Sequence, residues 1–448
     1  MLRLLAKFGS YIVSPATAAC EADHEQSESP NGNGVLIQNV TPPVEIALPP
    51  LVEGPVTVLD SLHLAFCDLA EGREHFKDRL ASTKFAFMLN TTLEDETRRT
   101  ESQGRRSCFV PGKYGDMASF CKALNRIRRK FPQANLVICT GNHADAVAHS
   151  TFLAASYLLL WEESTLDQAL SVLRPVSAPI SASMAAALRA VHQARYLAST
   201  RLYACNLCVI MFFSDAARNR CLNWINLHAD AEAPSGKREA DRIFLDEYFH
   251  YDDPRNASMH VLVPGKLLVF TRPVDIGPTT IPGICERPVT WVDVDNQPRR
   301  FSPEYFAEIF EDWEVKLVLR CNPSSYDLES FTARGIGAEE FSGLDCNMNL
   351  FQHMDRLVTL SRLSRGYMAF ECGDEGLGHA EVLVVAYLMR MYQFDAEAAL
   401  AWVQLMHPGS ERPGLRFSLK FSEGLLRPGR SLTECDSPSD NGLLRLST

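Results

Sequence analysis

The chain's 448 residues allow two or three domains, and its 46% hydrophobic and 22% charged content is that of an ordinary globular protein. A formal charge of -11 argues against a nucleic-acid binder, which needs a basic face, so no nucleic-acid partner is expected. No apolar run approaches the ~20 residues of a spanning helix, so no membrane insertion is expected.

Residues 1–55 are rich in Ser, Pro, Asn and Gly and end in two Pro-Pro pairs; they read as a disordered tail. The first stretch, Met1 to Val13, has two cations, and no acid precedes Glu21. Organelle targeting is the alternative reading for it. From Val56 onward apolar runs alternate with turn residues in an α/β manner. Asn135-Leu-Val-Ile-Cys139 predicts a strand, Ser150 to Leu160 a buried helix, and Leu166 to Pro175 an amphipathic helix closed by proline.

Thirteen cysteines, an odd number without framework spacing, indicate free thiols in a reducing compartment, cytoplasm or nucleus. Cys205-Asn-Leu-Cys208 stands without a second pair or a histidine cluster, so neither a metal nor a cofactor is predicted. The charged stretch 229–243 reads as a linker between domains at 56–228 and 244–421, and residues 422–448 as a second disordered tail.

The pattern of the first half recurs in the second. Tyr367-Met-Ala-Phe-Glu-Cys372 predicts a strand, Val382 to Met389 a buried helix, and Asp395 to Pro408 another amphipathic helix. Tyr157 precedes Leu170 by the same spacing that separates Tyr387 from Leu400. The simplest account is a tandem of two related α/β domains, each a central sheet flanked by helices.

The turn after Cys372 reads Gly-Asp-Glu-Gly-Leu-Gly-His379. Strand, glycine-rich turn and helix form an anion cradle, in which backbone N–H groups bind phosphate and lower the pKa of a thiol at the rim. Phosphoryl transfer by such a thiol also needs a guanidinium clamp and a carboxylic acid that protonates the leaving oxygen. Gly376, Leu377 and Gly378 suit the tight turn. No arginine lies in it, and Asp374 and Glu375 add charge that repels a phosphate dianion.

Phe244 to Tyr251, Leu262 to Phe270, Pro303-Glu-Tyr-Phe306, Val318 to Asn322 and Phe331-Thr-Ala-Arg-Gly335 occur in that order. Together with Tyr114 to Asn125 in the first half, they resemble the cell-division-cycle fourteen dual-specificity protein phosphatases over residues 60 to 421. The resemblance implies two tandem cysteine-phosphatase-like domains, of which the first is non-catalytic. It places Cys372 at the nucleophile position, Asp345 at the general acid, and residues 376–378 in the phosphate loop. Against the family's histidine-cysteine-x-x-glycine-x-glycine-arginine-threonine, Glu371 replaces the histidine. His379 replaces the arginine across one inserted residue, or Gly378 does without a gap, and Ala380 replaces the hydroxyl residue. Arg412-Pro-Gly-Leu-Arg416 stands where the family has paired glutamines.

Two functions follow from the resemblance. One is a pseudophosphatase scaffold that binds a phosphoprotein or another protein partner. The alternative is an active or weakly active protein phosphatase, with Cys372 as nucleophile, Asp345 as acid, and a guanidinium supplied from elsewhere, Arg412 or Arg416. A cysteine hydrolase pairing Cys372 with His379 is disfavoured, because in so tight a turn the two side chains point apart.

Overall fold

The structure, a computed structural model, describes residues 56–67, 86–90, 109, 111–140, 144–174, 182–195, 221–227, 243–276, 290–294, 299–321, 326–341, 350–372 and 379–408. The predicted tails, nearly all of the predicted linker and the Cys205–Cys208 pair lie outside these residues. By internal packing the chain divides into two compact units. The first is Met1–Phe109 with Ser119–Met184, and the second is Val110–Ala118 with Ala185–Thr448.

In the first unit, β1 (Val56–Leu59) pairs antiparallel with β2 (Leu62–Phe66), and β3 (Ala86–Asn90) closes a four-stranded sheet. Helix α1 (Tyr114–Lys130) leads into β4 (Asn135–Thr140), which lies parallel between β2 and β3. The strand order is β1-β2-β4-β3. From Leu136 onward β4 is buried, as a parallel strand covered on both faces must be, so its sequence is a continuous apolar run. Helix α2 (Ala144–Leu160) follows, buried throughout its last turns, as expected. Then comes α3 (Leu166–Val172), opened by a capping box in which Thr165 and Gln168 exchange side-chain-to-backbone hydrogen bonds.

Helix α4 (Ala182–Ala194) enters the second unit at Ala185, and α5 (Leu245–Asp252) lies within it. A hairpin of β5 (Met259–Val263) and β6 (Leu267–Thr271) follows, then a short one of β7 (Trp291–Val292) and β8 (Arg300–Phe301). Helix α6 (Pro303–Asp312) precedes β9 (Val315–Arg320), and α7 (Glu329–Thr332) precedes β10 (Gly337–Glu340). Helix α8 (Leu350–Leu363), β11 (Tyr367–Cys372), α9 (His379–Tyr392) and α10 (Ala396–Met406) complete it. The five-stranded order β10-β9-β11-β6-β5 repeats that of the first unit with one strand added outside β9. In both, an antiparallel hairpin leads a parallel set whose central strand ends near a buried cysteine, Cys139 or Cys372.

The repeated tyrosines have matching roles. The Tyr157 hydroxyl accepts from Arg128 of α1 at 2.8 Å, and the Tyr387 hydroxyl bonds Ser361 of α8 at 2.6 Å. Each thus ties the helix after the central strand to the helix before it. The structure therefore bears out the α/β class with two sheets flanked by helices.

Helix α6 shows why one face of the second sheet is covered. Ser302 caps it, Pro303 fits the first turn, and Pro303, Phe306, Ala307 and Phe310 form one buried stripe. Phe310 meets Phe270 of β6 edge-on at 5.0 Å and stacks on Phe331 at 5.7 Å. At the approach to β11, a Cβ on Gly366 would stand 2.1 Å from the Glu314 carbonyl oxygen, so only glycine fits.

One expectation needs correction. Helix α10 is buried on all sides except near Glu397, rather than amphipathic. Asp395, at its partly exposed start, caps the helix and receives Arg189 at 2.8 Å, and the fully buried Trp402 donates to the Leu262 carbonyl at 2.8 Å. No helix among the described residues is long and apolar enough to cross a membrane.

Candidate active site

Strand β11 delivers Glu371 and Cys372 to the C-terminal edge of the five-stranded sheet, where parallel α/β sheets gather their functional groups. Cys372 ends the strand, in register with Thr271 of β6. His379 is the first residue of α9, so the substitution at the arginine position falls at the helix start. Asp345, Gly376, Leu377 and Gly378 lie outside the described residues, as do Asp374, Glu375, Arg412 and Arg416.

The residue before the cysteine dominates the local electrostatics. Glu371 is fully buried. Its Oε1 accepts from Arg272 Nε at 2.8 Å, and its Oε2 from the Tyr326 hydroxyl at 3.0 Å. Arg272 directly follows β6, and its side chain is one-quarter exposed. The Tyr326 carbonyl accepts from Arg320 Nη1 at 2.9 Å, and Arg320 pairs through Nη2 with Glu340. Among the described residues, Arg272 and Arg320 at this edge of the sheet are thus each bound to a carboxylate.

The thiols respond accordingly. Cys372 is 3% exposed; burial first, then the Glu371 charge, hold its pKa well above the ordinary 9.0. The neighbouring Cys321 thiol and the buried carboxylate of Glu381 in α9 push the same way, against a backbone hydrogen bond at Phe270. Cys321 is pushed up to about 12, again by burial and then by Glu371. The Tyr326 hydroxyl is raised by burial and by the same carboxylate. A thiol with a pKa above 9 is less than about 1% thiolate at neutral pH. An activated nucleophile of this class has the reverse, a pKa lowered into the range of about 3.5 to 7.5 by adjacent positive charge.

Glu371 stood out in the sequence only as a replacement. Its partners Arg272 and Tyr326 were not anticipated, and the apolar strand Leu267–Thr271 gives no sign that the arginine after it turns toward β11. Among the described residues no group of three or more His, Cys, Asp or Glu side chains is placed to hold a metal ion.

No protein-family model matches the chain. Among curated proteins it is 25% identical over 202 residues to the dual specificity protein phosphatase CDC14C of Homo sapiens, covering 44% of this chain and 42% of that one. It is 25% identical over 239 residues to CDC14B of Mus musculus, covering 52% and 46%. To CDC14AB of Danio rerio it is 28% identical over 166 residues, covering 37% and 24%. The chain therefore spans less than half the length of these relatives. Among solved structures, that of PTPMT1 has 16% identity and a TM-score of 0.24, covering 28% of this chain and 85% of that one. The active form of Tk-PTP has 14% identity and a TM-score of 0.27, covering 37% and 95%. The chain is similar to the CDC14 dual-specificity protein phosphatases over about half of its own length.

Proposed function

We propose that this chain is a pseudophosphatase: a two-domain phosphatase-like body, residues 56–228 and 244–421, that binds protein partners without turning over phosphate. The observation that carries the reading is the buried Glu371 carboxylate beside Cys372, held by Arg272 and Tyr326. A phosphoryl group at the cysteine needs a thiolate below it and a free guanidinium around it. Here the thiol is held protonated, and Arg272, the nearby cation, is spent on Glu371. The sequence of the turn, with two acids and no arginine, points the same way. A guanidinium clamp is worth on the order of 10³ to 10⁵ in rate, so its loss alone disables turnover. Asp345 keeps the acid's position but, without the attacking sulfur, protonates nothing.

The test is hydrolysis of an aryl phosphate by purified protein beside its Cys372→Ser variant. The expected result is the same background rate for both. Cysteine-dependent turnover at about 1 s⁻¹ or more, typical of enzymes, defeats the proposal and restores the phosphatase reading.

A further inference from the structure

Strands β9 and β11 run side by side in parallel, with Phe370 paired to Leu319. Carrying that register two residues on brings Cys372, the last residue of β11, opposite Cys321, the first residue after β9. Residues paired across neighbouring parallel strands point to the same face, and the strands lie about 4.8 Å apart. A disulfide needs Cα atoms about 4.4 to 6.8 Å apart, so this register suits one. Both cysteines are free thiols, 3% and 7% exposed.

Their surroundings favour an uncharged product. After burial, the Glu371 carboxylate is the next influence that raises the pKa of each thiol, and Cys321 itself raises that of Cys372. Either thiolate is therefore penalised, and two together more so. A disulfide carries no charge, so the buried carboxylate does not oppose it.

We infer that Cys321 and Cys372 form one modification site, which hydrogen peroxide converts to an intramolecular disulfide. In the first step the thiolate of one cysteine attacks peroxide: an S–O bond forms, the O–O bond breaks and hydroxide leaves, giving a sulfenic acid. In the second, the other thiolate attacks the sulfenic sulfur: an S–S bond forms and a second hydroxide leaves. The two thiol protons convert both hydroxides to water, so the thiol pair loses two electrons and peroxide gains them. The first step is slow, because either thiolate is scarce. The second is fast, because its partner already stands in place. The disulfide therefore forms in preference to the sulfinic acid.

The test treats the full, folded chain with hydrogen peroxide, unfolds it in an alkylating agent and maps its tryptic peptides by mass spectrometry. Cleavage after Arg320, Arg334, Arg365 and Arg390 places Cys321 and Cys372 in separate peptides, residues 321–334 and 366–390, each with no other cysteine. The expected product is these two peptides joined, two hydrogens lighter than their sum and separated by reduction. It should exceed the sulfinic and sulfonic acids of Cys372 by at least about 10-fold. Cys321→Ala should abolish the joined species and leave those acids as the products at Cys372. If that variant does not fold, the wild-type map decides alone. Over-oxidised Cys372 in the wild type without the joined peptides overturns the inference. So does Cys372 joined mainly to another cysteine, or an equal yield of the joined peptides from chain unfolded in urea. Both thiols still reduced after an exposure about 10-fold longer than oxidises the partly exposed Cys221 also overturns it. None of these outcomes depends on whether Cys372 turns over phosphate.

Discussion

Replacing Arg272 with methionine should destabilise the second unit by about 2–4 kcal/mol, a loss that Arg272→Met/Glu371→Leu largely recovers. The single change removes a guanidinium 2.8 Å from a fully buried carboxylate and leaves that charge in the interior. Partial exposure of Arg272 and protonation of the stranded acid limit the cost. In the double variant the buried Glu371 charge is gone, at the cost of the acceptor of the Tyr326 hydroxyl, and leucine suits a position at the edge of the apolar face that carries Phe270 and Phe331. Urea unfolding of wild type, both single variants and the double variant gives the coupling energy. A coupling of at least about 1 kcal/mol is expected; purely additive effects would show that the pair does not organise this end of the sheet.

Acidification should cost the fold on the order of 3–5 kcal/mol between about pH 6.5 and pH 3 through His407 alone. Burial, and then the neighbouring His260 with its ring centre 5.0 Å away, push the His407 pKa down to about 3. Asp252 opposes this without reversing it. The unfolded chain takes up its proton near 6.5, while the folded one resists until about 3. Between those values the unfolded state holds more protons, so stability rises with pH and is lost as pH falls. His407→Gln removes this dependence. The wild-type and variant stabilities should therefore converge or cross as pH is lowered from about 7 to about 4 in urea titrations. Parallel curves would contradict a neutral, buried His407.

Much of the fold could be read from the sequence, because parallel strands buried on both faces must be continuous apolar runs. Asn135 to Cys139 and Tyr367 to Cys372 identified themselves in that way, and the Tyr157 and Tyr387 spacing exposed the duplication. The helix after Asp395 was misjudged for a definite reason. Its polar residues Gln404 and His407 are both buried, because the helix is enclosed by the rest of the unit and has no solvent-facing side there. The site was legible only in its covalent order. Glu371 marked a change, but Tyr326 and Arg272 lie 45 and 99 positions away in the chain, and only the pairing of β6 with β11 brings the arginine beside the carboxylate. His260 and His407, likewise far apart in sequence, gave no pattern.

The most direct test of the central claim, that Cys372 is held as a thiol, is its alkylation rate as a function of pH, read by mass spectrometry of the peptide that contains it. The account predicts slow modification that keeps rising through about pH 8.5 without levelling off, and that becomes fast only on unfolding. A rate that reaches a plateau after an inflection between about pH 5 and 7, the mark of a stabilised thiolate, would contradict it.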